Sequence, residues 1–353
     1  MTAQILYEQI GRLAARHQST LKILVLVTKQ SSFQAHRFCG IRYYSKMSVG
    51  ESTNAPLLLR LVSEACTTAN TAGSIVRKVL LSGELGVVDK GVNDLQTKAD
   101  RCAQYYIVQR LKRCFPKATI IGEEGDDVSE NLEGLLSPAT TPPEPLFPEI
   151  LNKSVPEKLL SISEENVVIW VDPLDGTQEF TKGLVGHVTT LIGIAVDARP
   201  VGGVIHQPFY EADGVKGRTM YGIPEVGHGG FTVTPPPEGK RIITTTRSHS
   251  NQRVEATLAA LQPDEILRVG GAGHKAVLLI EGRAHAYVFA SPGCKKWDTC
   301  APEAVLVSIG GILTDMDGIP YRYSKDVEHV NQGGLLATAP GVDHSWYLKS
   351  IPK

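Results

Sequence analysis

Cysteine is scarce in this chain, which carries six cysteines scattered over 353 residues. No two of them form a CxxC pair, so the sequence shows no zinc-finger pattern. Their spacing is also unlike the dense disulfide framework of a small secreted domain. This cysteine usage is typical of a protein that works in a reducing compartment.

A charge excess and a long apolar run are both missing. The formal net charge is −1, which gives no reason to expect a nucleic acid or an anionic membrane as a bulk partner. No stretch approaches the roughly 20 apolar residues needed to span a bilayer. The apolar run 21–27 is too short for that, and its flanks are wrong for a cleaved secretory signal. With 42% hydrophobic and 21% charged residues, the composition predicts a soluble globular protein.

Acidic residues are nearly absent from the segment 1–46, where Glu8 faces seven lysines and arginines. This composition fits a mitochondrial transit peptide, and the letters RYYS at 42–45 resemble a matrix-protease cleavage site. Two alternatives stay open: an untranslated leader followed by a start at Met47, or a disordered tail. We therefore expect a cytoplasmic protein, or a mitochondrial one if this segment is a transit peptide, and we exclude it from the fold.

The remainder divides into two predicted halves, an α+β half at 56–234 and an α/β half at 235–345, which begins at the prolines 235–237. In the first half, apolar spacing predicts helices at 56–81 and 96–115 and a strand at 119–122. Residues 126–165 are rich in proline and predict a surface loop with at most one helix. An antiparallel sheet is then predicted from strands at 187–197, 200–207, 219–221 and 231–233.

The second half alternates between short strands and helices, as an α/β layer does. The predicted strands are 241–246, 266–269 and 286–289, and the predicted helices are 251–261, 275–281 and 297–309. A strand and turn are predicted around 315–318. No internal repeat is visible.

The most informative stretch, 167–177, reads VVIWVDPLDGT. Its β-branched and aromatic residues predict a buried strand that stops at Asp172-Pro173, because proline removes a ladder donor. Asp172 and Asp175 then stand three residues apart at the mouth of that strand. Two carboxylates so placed repel each other unless a cation lies between them. We interpret the stretch as a magnesium site.

Three further acidic residues stand at strand or helix ends. Glu123 ends the strand-like IIGEEG, although such a turn is more often a solvated loop. Asp298 opens the helix of KKWDTCAPEA, where an aspartate can equally be an N-cap. Asp100, in LQTKAD, lies near a helix start, where a surface aspartate favoured by the helix dipole is the plainer interpretation.

In order and spacing, these motifs resemble the inositol monophosphatase-like phosphatase superfamily. The segments LQTKAD, TIIGEEG, WVDPLDGT, IITTTRSHSN, LRVGGAG and YVFASPGCKKWDTCAPE are similar to its 3′(2′),5′-bisphosphate nucleotidase subfamily over residues 56–338. The resemblance implies a layered αβαβα sandwich of the inositol monophosphatase and fructose-1,6-bisphosphatase type. It also implies an active site at the junction of the two halves, a usual place for a ligand pocket.

The resemblance also implies roles for individual residues. Two or more Mg²⁺ ions would be held by Glu123, Asp172, Asp175, Asp298 and the carbonyl of Leu174, with Asp172 bridging two ions. The pair that activates the attacking water would be Asp100 and Thr177. The substrate would be contacted by Thr246, His249, Gly271 and Lys275. Without the family, TTTRSHS is equally a strand end with a helix cap, and GGAG a tight turn.

Two basic segments near these motifs have plainer interpretations. His274 has no role by resemblance, and we expect a surface histidine. Lys295 and Lys296 are either solvated charges or part of a phosphate-attracting rim. We favour structural and electrostatic support over direct catalysis for both lysines.

The implied activity is Mg²⁺-dependent hydrolysis of adenosine 3′,5′-bisphosphate to AMP and phosphate. The 2′,5′ isomer and the sulfated nucleotide PAPS, converted to APS, would be related substrates, and lithium should inhibit. One alternative is an inositol polyphosphate 1-phosphatase, from which TTTRSHS and GGAG distinguish the chain. Another is a non-catalytic metal and nucleotide sensor, against which the intact Asp100 and Thr177 argue. No nucleic acid or membrane partner is expected, and the oligomeric state stays open.

Overall fold

The computed structural model describes residues 54–91, 94–125, 129–136, 147–212 and 214–352. The basic segment 1–46 lies outside this part of the chain, and so do residues 126–128 and 137–146 of the predicted surface loop. Across the described ranges, no helix combines the length and the apolar character that crossing a membrane requires.

Helices and strands alternate along the described chain. The helices are α1 (Leu57–Ser82), α2 (Lys98–Cys114), α3 (Pro148–Leu151), α4 (Glu157–Leu160), α5 (Thr177–Thr181), α6 (Gln252–Leu261), α7 (Ala272–Ile280), α8 (Lys296–Val307) and α9 (His344–Ser350). The strands are β1 (Val88–Gly91), β2 (Asp94–Gln96), β3 (Thr119–Gly122), β4 (Val167–Asp175), β5 (Thr189–Val196), β6 (Arg199–Ala212), β7 (Val215–Ile223), β8 (Gly227–Gly229), β9 (Ile242–Thr246), β10 (Glu265–Val269), β11 (Ala286–Phe289), β12 (Ile312–Thr314) and β13 (Leu335–Thr338).

Two sheets stack with helices around and between them. The first has the order β3-β4-β5-β6-β7-β8, and the second has the order β10-β9-β11-β13-β12. Helices α1 and α2 pack on the first sheet, while α7 and α8 contact both sheets. From β9 the chain reaches β10 through α6 and crosses back to β11 through α7. Right-handed crossovers in opposite directions place these two helices on opposite faces of the second sheet. The predicted αβαβα sandwich is confirmed.

The two helices that support the first sheet begin and end within two residues of the predicted positions. Most residues of α1 are buried, the apolar ones at helical spacing together with polar residues between them, and Gly83 ends the helix with a φ of +74°. At the start of α2, the Thr97 hydroxyl accepts from the backbone N–H of Ala99, and the Thr97 N–H donates to Asp100 Oδ2 over 2.8 Å. This reciprocal cap places Asp100 on the inner side of the helix.

A line of three glycines allows α8 to lie directly on the first sheet. Gly193, Gly203 and Gly222 are paired in register across β5, β6 and β7. A Cβ at Gly193 would lie 2.6 Å from Cβ of Cys300, and one at Gly222 would lie 2.5 Å from Cα of Val305. The missing side chains form a groove for α8, which carries Asp298 in its first turn.

The strand that bears the central motif is longer than predicted. It was expected to stop at Asp172-Pro173, but β4 runs on to Asp175. A bulge between Asp172 and Asp175 absorbs one extra residue, so Pro173 sits where no ladder donor is needed. Its carbonyl accepts from the hydroxyl of Thr190 over 2.9 Å. The prediction of a strand end at the proline was wrong.

Other predictions also differ from the structure. No strand forms at 231–233, and β8 lies at Gly227–Gly229 instead. The segment 126–165 was expected to hold at most one helix, yet its described part contains α3 and α4. Neither β13 nor α9 was predicted. The division at 234–235 stays a prediction, although α8, from beyond that point, packs on the first sheet.

Candidate active site

A cavity of about 380 Å³ opens where loops of the two sheets meet. All of the predicted metal ligands and substrate contacts line it, together with Thr177: Glu123, Asp172, Leu174, Asp175, Thr177, Thr246, His249, Gly271, Lys275 and Asp298. Asp100 lies behind the wall and reaches the cavity through Thr177. Residues from six separated segments of the chain therefore meet at one place.

Three carboxylates form the floor of the cavity. Asp172, Asp175 and Asp298 each offer an oxygen, and these atoms lie within 4.8 Å of one another. The backbone fixes two of them locally, since Asp172 Oδ1 accepts from the N–H of Leu174 over 3.0 Å and Asp298 Oδ2 accepts from the N–H of Lys295 over 2.7 Å. Asp298 was expected to open α8 and to serve there as an N-cap or a ligand. It is the third residue of that helix, and its carboxylate accepts from the backbone N–H of Lys295, the residue that directly precedes the helix.

The Asp175 carboxylate accepts hydrogen bonds from two different elements, helix α7 and strand β5. Its Oδ1 accepts from the N–H of Ala272 over 2.8 Å, and its Oδ2 accepts from the N–H of Gly273 over 2.8 Å. The hydroxyl of Thr189, its neighbour on β5, also donates to Oδ2 over 2.6 Å. The carboxylate thus occupies the positive end of α7. The sequence did not reveal this second role.

Glu123 lies at the edge of this carboxylate floor. Its Oε1 is 3.7 Å from Nζ of Lys295, which also approaches Asp94 Oδ2 at 4.0 Å. Lys295 therefore lines the cavity as an electrostatic partner of the acidic residues, in agreement with the supporting role expected for it.

Burial raises the pKa values of the acidic residues in the cavity and so opposes their ionisation. Burial, reinforced by Asp298, raises the pKa of Glu123 to about 8. Burial likewise raises the pKa of Asp298 to about 6 and that of Asp172 well above its usual value. A hard cation would relieve both the desolvation and the repulsion, and oxygen ligands are those that Mg²⁺ or Ca²⁺ prefer. The residues present fit a divalent metal.

Asp100 and Thr177 form a connected pair. The Thr177 hydroxyl lies 3.0 Å from Asp100 Oδ1 and 3.1 Å from the carbonyl oxygen of Leu174, so it can donate to either. Thr97 donates to the other oxygen of Asp100 from its N–H and its hydroxyl. Asp100 is fully buried, and burial raises its pKa to about 6. The plainer interpretation, a surface aspartate at a helix start, was wrong.

The four residues expected to contact the substrate line the same cavity. The N–H of His249 donates to the hydroxyl of Thr246 over 3.0 Å, which turns the chain after β9. Lys275 is buried, donates to the carbonyl of Gly271 over 2.9 Å and lies 5.1 Å from the ring centroid of Tyr287. Gly271 has a φ of +73°, a conformation that favours glycine. Burial lowers the pKa of Lys275.

Two basic residues near the site differ from expectation. His274 was expected at the surface, but it is buried and stacks on His187 with ring centroids 4.5 Å apart. Lys296 is neither a solvated charge nor part of the cavity rim, because it is buried and donates to Asn331. Helix packing accounts for both positions, since each residue faces inward from the first turn of its helix.

Glu179 is a cavity residue that the sequence reasoning missed. It lies on α5, two residues after Thr177, and only 3% of its side chain is exposed. The available signal in the sequence was an acid two positions after the DGT motif. Tyr287, Phe289 and Cys294 add apolar surface to the same cavity.

The comparisons with known proteins agree with this architecture. A model of the inositol monophosphatase family matches residues 58–352. The human 3′(2′),5′-bisphosphate nucleotidase 1 is 51% identical over 302 residues, which cover 84% of this chain and 96% of that protein. The Dictyostelium discoideum protein of that name is 38% identical over 82% of this chain and 96% of its own length. The solved structure of suhB from Bartonella henselae superposes with a TM-score of 0.62 at 19% identity, over 83% of this chain and 99% of the other.

Proposed function

This chain belongs to the inositol monophosphatase family, and we propose that it is a metal-dependent phosphatase that acts on nucleotide bisphosphates. The proposed reaction is hydrolysis of adenosine 3′,5′-bisphosphate to AMP and phosphate. The observation that carries it is one cavity that is lined both by the three carboxylates of the floor and by Thr246, His249 and Lys275. The names of the relatives at 38% and 51% identity support the choice of substrate.

The cavity suits a small ligand with two separate anionic groups. One phosphate would lie over the carboxylate floor, where a bound metal would offset the negative charge. The rest of the nucleotide would lie towards Lys275, whose buried ammonium can pair with an anion, and towards the Gly271 turn at the start of α7. We propose the 2′,5′ isomer and PAPS as further substrates, because they place a phosphate on the same ribose edge.

Asp100 and Thr177 would prepare the nucleophile. A water molecule at the Thr177 hydroxyl would give up a proton as its oxygen attacks phosphorus, and Asp100 would take that proton through the hydroxyl. The bond between phosphorus and the ribose oxygen breaks, and the ribose oxygen leaves with a proton from solvent. With a pKa of about 6, Asp100 would be largely ionised at neutral pH and able to act as the base.

Asp172, Asp175, Asp298, Glu123 and the carbonyl of Leu174 are the groups that would hold Mg²⁺. When bound, the metal supplies a water of lowered pKa and stabilises the negative charge that develops on the ester. We propose that these groups would hold two or more ions. Lithium would inhibit by competing for one of these positions.

The decisive assay measures phosphate release with Mg²⁺ from adenosine 3′,5′-bisphosphate and, in parallel, from inositol 1,4-bisphosphate. We expect a strong preference for the nucleotide and a loss of activity when Li⁺ is added at fixed Mg²⁺. A preference for the inositol ester would replace the proposed substrate with an inositol phosphate. Activity that is indifferent to Li⁺ would count against the assignment.

Substitution of Asp100→Asn separates catalysis from binding. The asparagine keeps the shape of the side chain but cannot take a proton, so we expect kcat to fall by about 10²- to 10⁴-fold. Affinity for AMP, measured by calorimetry, should stay within about twofold of the wild-type value. If AMP binding were lost, Asp100 would be a structural residue. If the wild type bound the nucleotide without any turnover, the chain would be a sensor.

A further inference from the structure

The Glu179 carboxylate connects the metal side of the cavity with the substrate side. It projects from α5, the short helix that begins at Thr177. Its Oε1 lies 2.8 Å from Nη2 of Arg247, which belongs to the loop after β9. The Arg247 side chain is 33% exposed, whereas that of Glu179 is 3% exposed. The Glu179 carboxylate is therefore shielded from water and paired with Arg247, whereas the Arg247 side chain is partly exposed to water.

The same carboxylate also packs on a second loop of the substrate side. A Cβ placed on Gly270 would collide with the carboxylate carbon and with both carboxylate oxygens of Glu179. Gly270 stands between β10 and α7, directly before the Gly271 turn. One buried side chain on the metal side thus contacts both loops that carry the proposed nucleotide contacts.

These contacts differ in kind from those of the catalytic groups. Glu179 is not among the three carboxylates that lie within 4.8 Å of one another, and its charge is already paired. Arg247 lies between Thr246 and His249 in sequence but does not line the cavity with its neighbours. The pair can affect the reaction through the positions of the two loops.

We propose that Glu179 and Arg247 are positioning residues that set the nucleotide specificity of the cavity. By holding the loop after β9 and the Gly270 turn against α5, the ion pair keeps His249 and Gly271 at a fixed distance from the carboxylate floor. The inference rests on the proposed nucleotide phosphatase activity. It predicts that loss of the pair weakens nucleotide recognition and leaves the chemistry at the carboxylate floor nearly intact.

Three substitutions remove the contact by different routes. Glu179→Gln removes the negative charge, Arg247→Gln removes the positive charge, and Gly270→Ala displaces the carboxylate without changing any charge. Arg247→Lys keeps the positive charge and serves as the conservative variant. Lys117→Gln is the control, because Lys117 pairs with Glu165 over 2.8 Å at an exposed position and neither residue lines the cavity.

The kinetic readout is the separation of KM from kcat. For adenosine 3′,5′-bisphosphate we expect KM to rise about tenfold or more in the first three variants, with kcat within about threefold of wild type. The KM for p-nitrophenyl phosphate, which lacks the nucleoside, should change less than twofold. Arg247→Lys should recover most of the loss, and Lys117→Gln should behave as wild type. The double variant Glu179→Gln/Arg247→Gln should be no worse than the poorer single variant, because both act on one contact.

Hydrogen exchange of the backbone amides provides a readout that does not depend on turnover. In Glu179→Gln and Gly270→Ala, amides of residues 246–251 and 270–273 should exchange faster than in wild type, while those of β5 stay unchanged. Unchanged exchange in both loops would overturn the inference, as would equal losses on the nucleotide and on p-nitrophenyl phosphate. If wild type failed to hydrolyse or bind the nucleotide, the proposed function would fail separately, and the exchange data would still decide whether the pair holds the loops.

Discussion

At the scale of single residues, the cavity concentrates acids whose charge the folded protein disfavours. Burial raises the pKa of Glu123 to about 8 and that of Asp298 to about 6. Glu303, buried farther along α8 beside the Tyr323 hydroxyl, has its pKa raised by burial to about 7. Each of these groups binds protons more tightly in the folded chain than in the unfolded chain.

The stability of the metal-free protein should therefore depend on pH with a definite sign. Between about pH 4 and pH 8 these three acids hold more protons in the folded than in the unfolded chain, so their contribution to the free energy of unfolding falls as pH rises. Burial lowers the pKa of His206 and His274 to about 3, and these histidines act in the opposite sense below about pH 7. Without metal we therefore expect a lower Tm at pH 8 than at pH 7, with a difference in the free energy of unfolding on the order of 1 kcal/mol.

Mg²⁺ should reverse this trend, because it binds the ionised carboxylates and its stabilising effect grows with pH. Thermal unfolding in EDTA and in Mg²⁺ at several pH values measures both effects. Asp298→Asn is the control, since it removes one titrating ligand and should flatten both curves. A metal-free Tm that rises from pH 7 to pH 8 would contradict the expected contribution of these acids.

The residues alone predict only the metal site at Asp172 and Asp175, because two carboxylates follow a buried strand there, and the resemblance to the family implies the other site residues. Partners supplied by distant segments could not be predicted by either route. The N–H groups of Ala272 and Gly273 that bind Asp175 belong to a helix about a hundred positions later. Likewise, no local pattern announces that Arg247 pairs with Glu179.

At the scale of elements, the groove beneath α8 exists because three neighbouring strands each carry a glycine, which has no side chain, where they face the helix. Gly203, in the middle of the line, faces the carbonyl oxygen of Ala301, and a Cβ there would also lie 2.9 Å from the Cβ of Ala304. Backbone cannot move aside as a flexible side chain can. The separation of helix and sheet is thus set by main-chain contact.

Gly203→Ala should lift α8 from the sheet and destabilise the protein by about 1–3 kcal/mol. Activity with Mg²⁺ should fall as well, because Asp298 moves with the helix. Urea denaturation and phosphate release measure the two effects. Gly186→Ala is the matched control, since a Cβ there meets nothing within 4 Å, and its stability should change by less than about 0.5 kcal/mol. Equal behaviour of the two variants would show that the groove tolerates a methyl group.

The elements that sequence patterns found are the long amphipathic helices and the buried strands. The missed ones are short or depend on partners. Strand β13 has four residues and pairs with β11 and β12, so its identity comes from the sheet. The pattern at 231–233 looked like a strand, but Phe231 stacks on His228 with centroids 5.0 Å apart, and the glycine-rich β8 pairs with β7 instead.

At the scale of the whole molecule, the two predicted halves are not built independently. The first sheet lies within the predicted half 56–234, yet α8, which fills its glycine-lined groove, follows the predicted boundary. A fragment that ends at residue 234 would leave this face of the sheet uncovered.

A fragment of residues 49–234 should therefore fail to unfold cooperatively. We expect it to bind the dye ANS and to show a broad thermal transition, unlike the full chain. Addition of a second fragment, residues 235–353, should restore a cooperative transition if the two fragments associate. A sharp transition of the first fragment alone, near the Tm of the full chain, would show that the first half folds on its own.

The distance along the chain between the floor carboxylates has a consequence during synthesis. Asp172 and Asp298 are 126 positions apart (298 − 172). A ribosome that adds 5–20 residues per second needs roughly 6–25 s to pass from one to the other. Throughout that interval the nascent chain holds two of the three carboxylates and an empty groove. Metal capture would then be a late event in the maturation of each molecule, completed only when α8 has emerged and docked.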